Sequence, residues 1–234
     1  MYNRKSRENK ARQMVNILED YFGNRSLKTL NLLDVGSSTG IIDNYLSNKF
    51  SHVTGIDIDK NAIKYASDNF KKGNLKFMLG DVMKLSFADN FFDVVVCTQI
   101  YEHIPNPKIM FDEIYRVLKP GGVCFLAAIN KLWPWEPHYK LLFLSWLPKN
   151  LAHFYVRVSK RGNEYYEKLE TYRSLEKLTQ KFKKTDYTQK ILNDPLKFGY
   201  KNEVLVATKP IVRPFSPILK YLTPTFFWLL TKEV

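Results

Sequence analysis

The chain has few of the residues and segments that mark secreted, metal-binding or membrane-spanning proteins. Its 234 residues include only two cysteines and four histidines. Two cysteines cannot form a disulfide framework, and Cys97 and Cys124 both lie in apolar, strand-like runs where a buried free thiol is the expected state. The four histidines show no paired ligand spacing with carboxylates, so the sequence predicts no metal site.

The sequence also lacks a targeting or membrane-spanning segment. The N-terminal residues are polar and basic and no apolar core follows them, so we expect no signal peptide. The two longest apolar stretches, near 141–147 and 215–230, are shorter than the ~20 apolar residues that a spanning helix needs, or are broken by proline. We therefore expect a cytoplasmic protein, with peripheral attachment to the inner face of a membrane as the alternative considered below.

Basic charge is concentrated near the N-terminus and in the last third of the chain. The net charge is +13, yet residues 13–156 carry 15 basic against 14 acidic side chains. The surplus lies in residues 1–12 and after residue 156, so it concerns a partner surface rather than a cofactor in the first half.

Strands and helices alternate along the first 130 residues. Apolar runs predict strands near 29–35, 51–57, 74–79, 91–98 and 121–128, with helices near 40–48, 60–70 and 106–118. An earlier amphipathic helix is indicated by Ala11, Met14, Val15, Leu18 and Phe22. This order predicts an α/β, Rossmann-like fold whose mostly parallel sheet has helices on both faces and binds ligands at the carboxyl ends of its strands.

The regular alternation stops after Ile129. Residues 131–170 are rich in aromatics and proline and are predicted to be an insertion after the fifth strand that serves as a lid or substrate wall. A helix near 172–183 and strands near 186–192 and 203–209 would complete a seven-stranded sheet. We therefore expect one domain over residues 1–210, followed by an apolar tail, 211–234, that contacts a membrane or another subunit.

A glycine turn follows the first strand. Asp34 ends the strand, and Gly36 and Gly40 frame a turn that opens a helix, so that backbone amides can face a ligand. Alone, this pattern also suits a turn that binds a nicotinamide dinucleotide, or a tight packing turn. The features that follow it along the chain decide between these interpretations.

Carboxylates end the next two strands. Asp57 could accept both hydroxyls of a ribose or cap the following helix, for which Asp59 is the better placed of the two. Asp81 could accept from an adenine amino group or simply form a turn.

Five segments taken in order closely resemble the class I S-adenosylmethionine-dependent methyltransferases: LLDVGSSTG, VTGIDID, LGDV, FFDVVVCTQIYEHI and EIYRVLKPGG. The resemblance covers about residues 28–130. It implies the sheet order 3-2-1-4-5-7-6 with strand 7 antiparallel, and S-adenosylmethionine as the cofactor with S-adenosylhomocysteine as its product. The cofactor-binding residues it implies are Asp34, Gly36, Ser37, Ser38, Gly40, Asp57, Ile58, Asp81, Val82 and Gln99.

One residue departs from the family pattern. Ser38 stands where the turn usually has its middle glycine. A serine fits if its φ is negative, so we expect cofactor binding to be retained.

Four residues are candidate catalytic groups. His103 follows the fourth strand and could take a proton from the acceptor near neutral pH, or it could only pack and cap the loop. Tyr101 and, on the insertion, Glu136 and His138 are the further candidates.

The positions of the four tryptophans indicate what kind of molecule accepts the methyl group. Trp133, Trp135 and Trp146 lie in the insertion and Trp228 in the tail, among leucines and lysines that suit a membrane interface or, alternatively, packing within the chain or across a homodimer. The predicted function is methyl transfer to an amphipathic small molecule, lipid or lipid-linked glycan at an anionic membrane surface. A nucleic-acid methyltransferase and a partner subunit without turnover are the alternatives.

Overall fold

A seven-stranded sheet forms the centre of the molecule. The computed structural model describes residues 4–200 and 208–233. The strands are β1 (Asn31–Val35), β2 (His52–Asp57), β3 (Leu75–Leu79), β4 (Phe92–Thr98), β5 (Leu118–Ile129), β8 (Lys183–Asp186) and β9 (Thr225–Thr231); a separate ribbon pairs β6 (Trp135–Glu136) with β7 (Leu141–Leu142). The sheet order is β3-β2-β1-β4-β5-β9-β8, with β9 antiparallel to both neighbours. The predicted fold and strand order are confirmed.

Helices cover both faces of the sheet. They are α1 (Arg4–Phe22), α2 (Ile41–Leu46), α3 (Lys60–Asn69), α4 (Pro107–Val117), α5 (Lys149–Val158), α6 (Tyr172–Leu178), α7 (Tyr187–Asn193) and α8 (Lys209–Leu219). One core joins α1, α2 and α7 to the sheet, and the other joins α4 and α6 to its opposite face. The apolar positions that predicted α1 are the ones it buries, among them Met14 and Leu18.

The last two strands differ from the prediction. Residues 187–192 of the strand predicted near 186–192 lie instead in α7, because the Asp186 side chain accepts from Thr188 N and caps a helix there. Of the predicted strand 203–209, residues 203–207 lie outside the described residues, and Lys209 begins α8. The strand between β5 and β8 is instead β9, in the segment predicted to be a tail.

The predicted tail is therefore part of the domain. Phe226 and Trp228 are fully buried between β5 and β8, so the sheet continues to residue 231 rather than ending at 210. For Trp228, packing within the chain, which was the alternative interpretation, is the observed state. An aromatic run flanked by proline is compatible both with a membrane interface and with a buried strand, and only the pairing partner decides between them.

The insertion forms a small layer of its own. Leu144, Ala152, Val156 and Tyr165 make a separate apolar cluster. Lys131 N donates to Glu170 O at 3.0 Å, so the segment leaves and rejoins the fold at one place, the carboxyl end of β5.

Candidate cofactor and acceptor site

The glycine turn closes against β2. Gly36 N and Ser37 N both donate to Ile56 O, at 2.8 and 2.9 Å. Gly40 has φ +72°, and a Cβ built on it would lie 2.5 Å from Cζ of Phe77. Glycine is thus required at position 40 both by the backbone conformation and by space.

Asp57 holds this turn and ends β2. Its Oδ2 accepts from Ser38 N at 2.8 Å, and its Oδ1 accepts from Asp59 N at 2.9 Å. Asp59 caps α3 by accepting from Asn61 N and Ala62 N. The helix cap is therefore Asp59, and the second acceptor site on each Asp57 oxygen remains available for another donor.

Ser38 adopts the left-handed conformation. Its φ is +50°, so the condition of a negative φ on which the sequence prediction rested is not met. The bond from Ser38 N to Asp57 fixes this geometry. The usual glycine would adopt it without strain, whereas an L-residue pays roughly 1–2 kcal/mol.

We expect Ser38→Gly to raise the free energy of unfolding by roughly 0.5 kcal/mol, because relief of the left-handed strain exceeds the extra entropy of glycine in the unfolded chain. Ser38→Ala, which keeps the Cβ, should not stabilise the protein. Urea denaturation of both variants measures this difference. A glycine variant no more stable than the alanine variant would contradict it.

Two carboxyl groups lie buried beneath the turn. Asp34 and Asp43 are 3% and 0% exposed and interact with each other. Within residues 4–200 and 208–233, no other donor reaches either Asp43 oxygen or Oδ1 of Asp34. Burial raises the pKa of Asp43 to about 7 and that of Asp34 well above its usual range. The pair therefore shares a proton near neutral pH.

Asp81 and Val82 lie just after the end of β3. Asp81 Oδ1 accepts a hydrogen bond from Met83 N at 2.8 Å. Asp81 thus forms a turn, which was the alternative interpretation of this residue in the sequence. Val82 is 7% exposed, and Ile58 beyond β2 is 76% exposed. An exposed apolar side chain beside Asp57 suits a stacked aromatic base.

A cavity of about 420 Å³ opens beside the turn. Its lining includes Asp34, Gly36, Ser37 and Ser38 from the turn region, Thr98, Gln99 and Ile100 after β4, Arg7, Lys10 and Gln13 on α1, and the aromatics Tyr200 and Phe227. Lys10 Nζ donates to Gln99 Oε1 at 3.4 Å, and burial followed by the charge of Arg7 lowers the pKa of Lys10. Helix α1 thus covers the cavity with basic side chains, which the sequence pattern did not predict.

Tyr101 is a structural residue. It is fully buried, its hydroxyl donates to Ile129 O at 2.9 Å, and it accepts from Glu170 N at 3.0 Å. Burial raises its pKa well above the usual range. This hydroxyl joins the two ends of the insertion to β4 and has no access to an acceptor, so the catalytic role predicted for Tyr101 is withdrawn.

The two candidate histidines lie together. The rings of His103 and His138 are 5.0 Å apart, and Nδ1 of His138 is 2.7 Å from Oε1 of Glu136. Hydrogen bonding to Glu136 raises the pKa of His138, whereas burial and the neighbouring His138 lower that of His103. Glu102 and Glu167 complete the cluster, and burial raises the pKa of Glu102 to about 7. Sequence reasoning missed both glutamates, although Glu102 precedes His103 directly.

Helices α5 and α8 each expose an apolar face. Leu151, Phe154 and Val158 on α5 and Ile211, Phe215 and Ile218 on α8 are each more than half exposed. Asn130 Nδ2 donates to Tyr221 O and Thr223 O, so the chain after α8 meets the start of the insertion. No helix in the described part of the chain is both long and apolar enough to cross a membrane.

Comparisons of the sequence with a family model and with curated proteins agree with each other on the family. Residues 33–126 match the family described as "Methyltransferase domain". The ubiquinone biosynthesis O-methyltransferase of Psychrobacter cryohalolentis is 31% identical over 153 residues, covering 63% of this chain and 56% of that protein. The protein of the same name from Rickettsia akari is 32% identical over 154 residues, covering 62% and 59%. The chain thus spans a little over half the length of these curated relatives.

Solved structures share the fold. An S-adenosylmethionine-dependent methyltransferase from Methanosarcina mazei superposes with a TM-score of 0.60 at 20% identity, covering 93% of this chain and 97% of that one. A Haemonchus contortus phosphoethanolamine N-methyltransferase, solved with S-adenosylhomocysteine, gives 0.56 at 21% identity, covering 95% and 53%. The sheet order, the glycine turn and the family match show that residues 33–126 belong to a methyltransferase domain of the class I S-adenosylmethionine-dependent type.

Proposed function

We propose that the protein methylates an amphipathic small molecule, a lipid or a lipid-linked glycan, and that it does so at an anionic membrane surface. The observation that carries this proposal is the pair of exposed apolar faces on α5 and α8. The turn after α8 contacts Asn130 at the carboxyl end of β5, and α5 belongs to the insertion that leaves and rejoins the fold at that end. An apolar acceptor could pass from a bilayer to the site without crossing water.

The residues around the cavity fit the methionine portion of the cofactor. Ser37 and Asp34 line the cavity. Oγ of Ser37 and Oδ1 of Asp34 are buried and have no hydrogen-bond partner in the described ranges. A bound amino acid group would give such atoms the hydrogen bonds they lack. Gly36 and Ser38 would lie against it, and the basic Lys10 would attract its carboxylate.

We assign the nucleoside portion to the ends of β2 and β3. Asp57 would accept from the ribose hydroxyls with the acceptor sites that its two amide partners leave. Ile58 and Val82 would flank the adenine, and Asp81 would accept from its amino group. Gln99, held by Lys10, would contact the cofactor from β4, and Gly40 keeps the turn open.

The cofactor supplies a methyl group on a positively charged sulfur, and the chain supplies alignment. In-line placement of an acceptor behind the methyl group accounts for much of the rate in such displacements. His103, half exposed after β4, and His138, which the insertion brings to it, would hold the acceptor hydroxyl. The insertion and α1 would exclude water from the two sides of the site.

A hydroxyl acceptor is supported by the relatives. The proteins from Psychrobacter cryohalolentis and Rickettsia akari are both named ubiquinone biosynthesis O-methyltransferases. Oxygen of a small molecule is therefore the methyl acceptor that we favour. The exposed aromatics of the insertion and of α8 lie among leucines and isoleucines, which suits a lipid better than stacked nucleobases.

The function is tested by methyl transfer to extracts. Purified protein with methyl-labelled S-adenosylmethionine is incubated separately with lipid, polar and RNA extracts, and the products are identified by mass spectrometry. We expect label in a hydroxyl-bearing molecule of the lipid extract. Label confined to RNA, or label only in the polar extract, would overturn the membrane-linked acceptor.

Membrane contact is tested by substitutions on α8 rather than by removal of the tail, because deleting residues 215–234 would also delete β9. We expect Phe215→Gln with Ile218→Gln to reduce co-sedimentation with phosphatidylglycerol vesicles about tenfold or more, since two exposed apolar side chains lose their burial in the bilayer. The exposed Arg157, Lys160 and Arg213 on or beside these helices would attract the anionic headgroups.

Tyr65→Gln with Ile109→Gln is the matched control, because these exposed apolar residues lie on α3 and α4, away from the two faces. The control should bind vesicles as the wild type does. Equal sedimentation of both double variants would exclude α8 as the membrane contact. A wild-type dimer that α8 variants dissociate would show that a second copy covers this face instead.

A further inference from the structure

Two histidines and three glutamates meet at the carboxyl end of β4. Glu102, His103 and His138 each offer a ligand atom, and these atoms all lie within 4.8 Å of one another. Glu136 and Glu167 stand directly behind the histidines. The cluster joins the short helical turn after β4 to two separate parts of the insertion.

Glu102 is buried, faces the two histidines and is unpartnered. Its side chain is 1% exposed, and neither carboxylate oxygen has a hydrogen-bond partner in the described part of the chain. No lysine or arginine among residues 4–200 and 208–233 forms an ion pair with Glu102, Glu136 or Glu167. Buried carboxylates without a cationic partner are costly unless a metal ion or protons neutralise them.

His138 is already oriented as metal-binding histidines are. Glu136 is fully buried; its Oε1 lies 2.7 Å from Nδ1 of His138 and its Oε2 accepts from Tyr139 N at 2.7 Å. The carboxylate thereby fixes the ring and leaves Nε2 as the nitrogen that is free to ligate. A carboxylate behind a histidine is the usual outer partner of a histidine that binds a metal.

We propose that Glu102, His103 and His138 bind a divalent transition-metal ion, with Glu136 orienting His138 from behind. Two imidazoles and one carboxylate form the three-ligand set of zinc sites that keep a fourth position open. Magnesium and calcium fit less well, because they prefer oxygen ligands throughout. The ligand atoms lie within 4.8 Å of one another, and binding one ion at ~2.0–2.2 Å requires the side chains to rotate toward it.

The place of this site gives the ion a role in methyl transfer, and that role rests on the proposed function. Ile100 lines the cofactor cavity and stands two residues before Glu102. An acceptor hydroxyl oxygen could take the open position, where the ion would lower its pKa and fix its direction. His103 and His138 would then act as ligands rather than as free bases, and the proton that the ion-bound hydroxyl loses would pass to solvent.

Metal binding is measured directly on the protein without cofactor. Protein freed of metal with a chelator is titrated with Co²⁺, followed by its visible absorption, and with Zn²⁺ by calorimetry. We expect one ion per chain and the absorption of a low-coordinate Co²⁺ site with nitrogen ligands. His138→Gln and Glu102→Gln should each weaken binding by about tenfold or more, because each removes a ligand.

His52→Gln is the matched control, since this exposed histidine lies on β2 outside the cluster. It should bind Co²⁺ as the wild type does. No binding by the wild type, or unchanged binding in Glu102→Gln, would overturn the proposal and leave a cluster neutralised by protons. Because Gln matches Glu in size, Glu102→Gln serves as the deciding variant if His138→Gln does not fold.

S-adenosylmethionine titrated into the same samples separates the two proposals. Metal binding with no methyl transfer to any extract would leave the site standing and remove the proposed function. Cofactor binding with no metal binding would remove the metal site and leave the proposed function standing.

Discussion

We expect Asp57→Ala to weaken S-adenosylmethionine binding by about 100-fold or more. Hydrogen bonds to a charged group contribute roughly 1.5–3 kcal/mol each, and the substitution removes the acceptor of two ribose hydroxyls. It also releases Ser38 N, which Asp57 Oδ2 holds at 2.8 Å, so that the glycine turn loses its anchor on β2. Isothermal titration calorimetry with S-adenosylmethionine measures the effect.

Asp59→Ala is the matched control for this substitution. Asp59 lies two residues further along the chain and caps α3 through Asn61 N and Ala62 N. Its loss should cost about 1 kcal/mol of unfolding free energy and leave cofactor affinity within about twofold. Equal losses of affinity in the two variants would overturn the ribose assignment of Asp57.

The first half of the fold could be predicted because its signals are local. Each of β1 to β5 is an apolar run bounded by turn residues, and Asp59 marks the start of α3 by its position alone. The cofactor edge followed from the same pattern, since the carboxyl ends of parallel strands meet on one side of the sheet. The order of short segments then separated a methyltransferase from a nicotinamide-binding protein.

The last strand could not be predicted because its signal is non-local. Residues 225–231 are as apolar and aromatic as a membrane-facing segment, and only pairing with β5 and β8 makes them a buried strand. The same limit applies to the histidine cluster. His138 has no ligand spacing to Glu102 or His103 along the chain, and the return of the insertion to β5 brings them together.

The backbone conformation of Ser38 could not be predicted from the sequence either. The sequence revealed that a glycine is missing from the turn, but φ at this position depends on the bond from Ser38 N to Asp57, which belongs to a different strand. The buried pair below the turn is similar. Asp43 follows Gly40 in a short helix and looks like an ordinary first-turn acid, yet it is fully buried against Asp34.

That pair predicts how the stability of the protein depends on pH. In the unfolded chain both carboxyls titrate near pH 4, whereas burial in the folded protein raises the pKa of Asp43 to about 7 and that of Asp34 well above its usual range. Between these values the folded protein holds a proton that the unfolded chain has lost. The contribution of the pair to stability is therefore complete below about pH 4 and is lost as pH rises through 7.

Asp43→Asn should remove much of this dependence, because the amide can donate to Asp34 without titrating. We expect the variant to be more stable than the wild type at pH 8, by on the order of 2 kcal/mol, and the difference to disappear toward pH 4. Urea denaturation at several pH values measures it, with Asp68→Asn on the exposed face of α3 as the control. A gain that is the same at pH 5 and pH 8 would show that the pair is not protonated in the folded protein, and that the glycine turn rests on two buried charges.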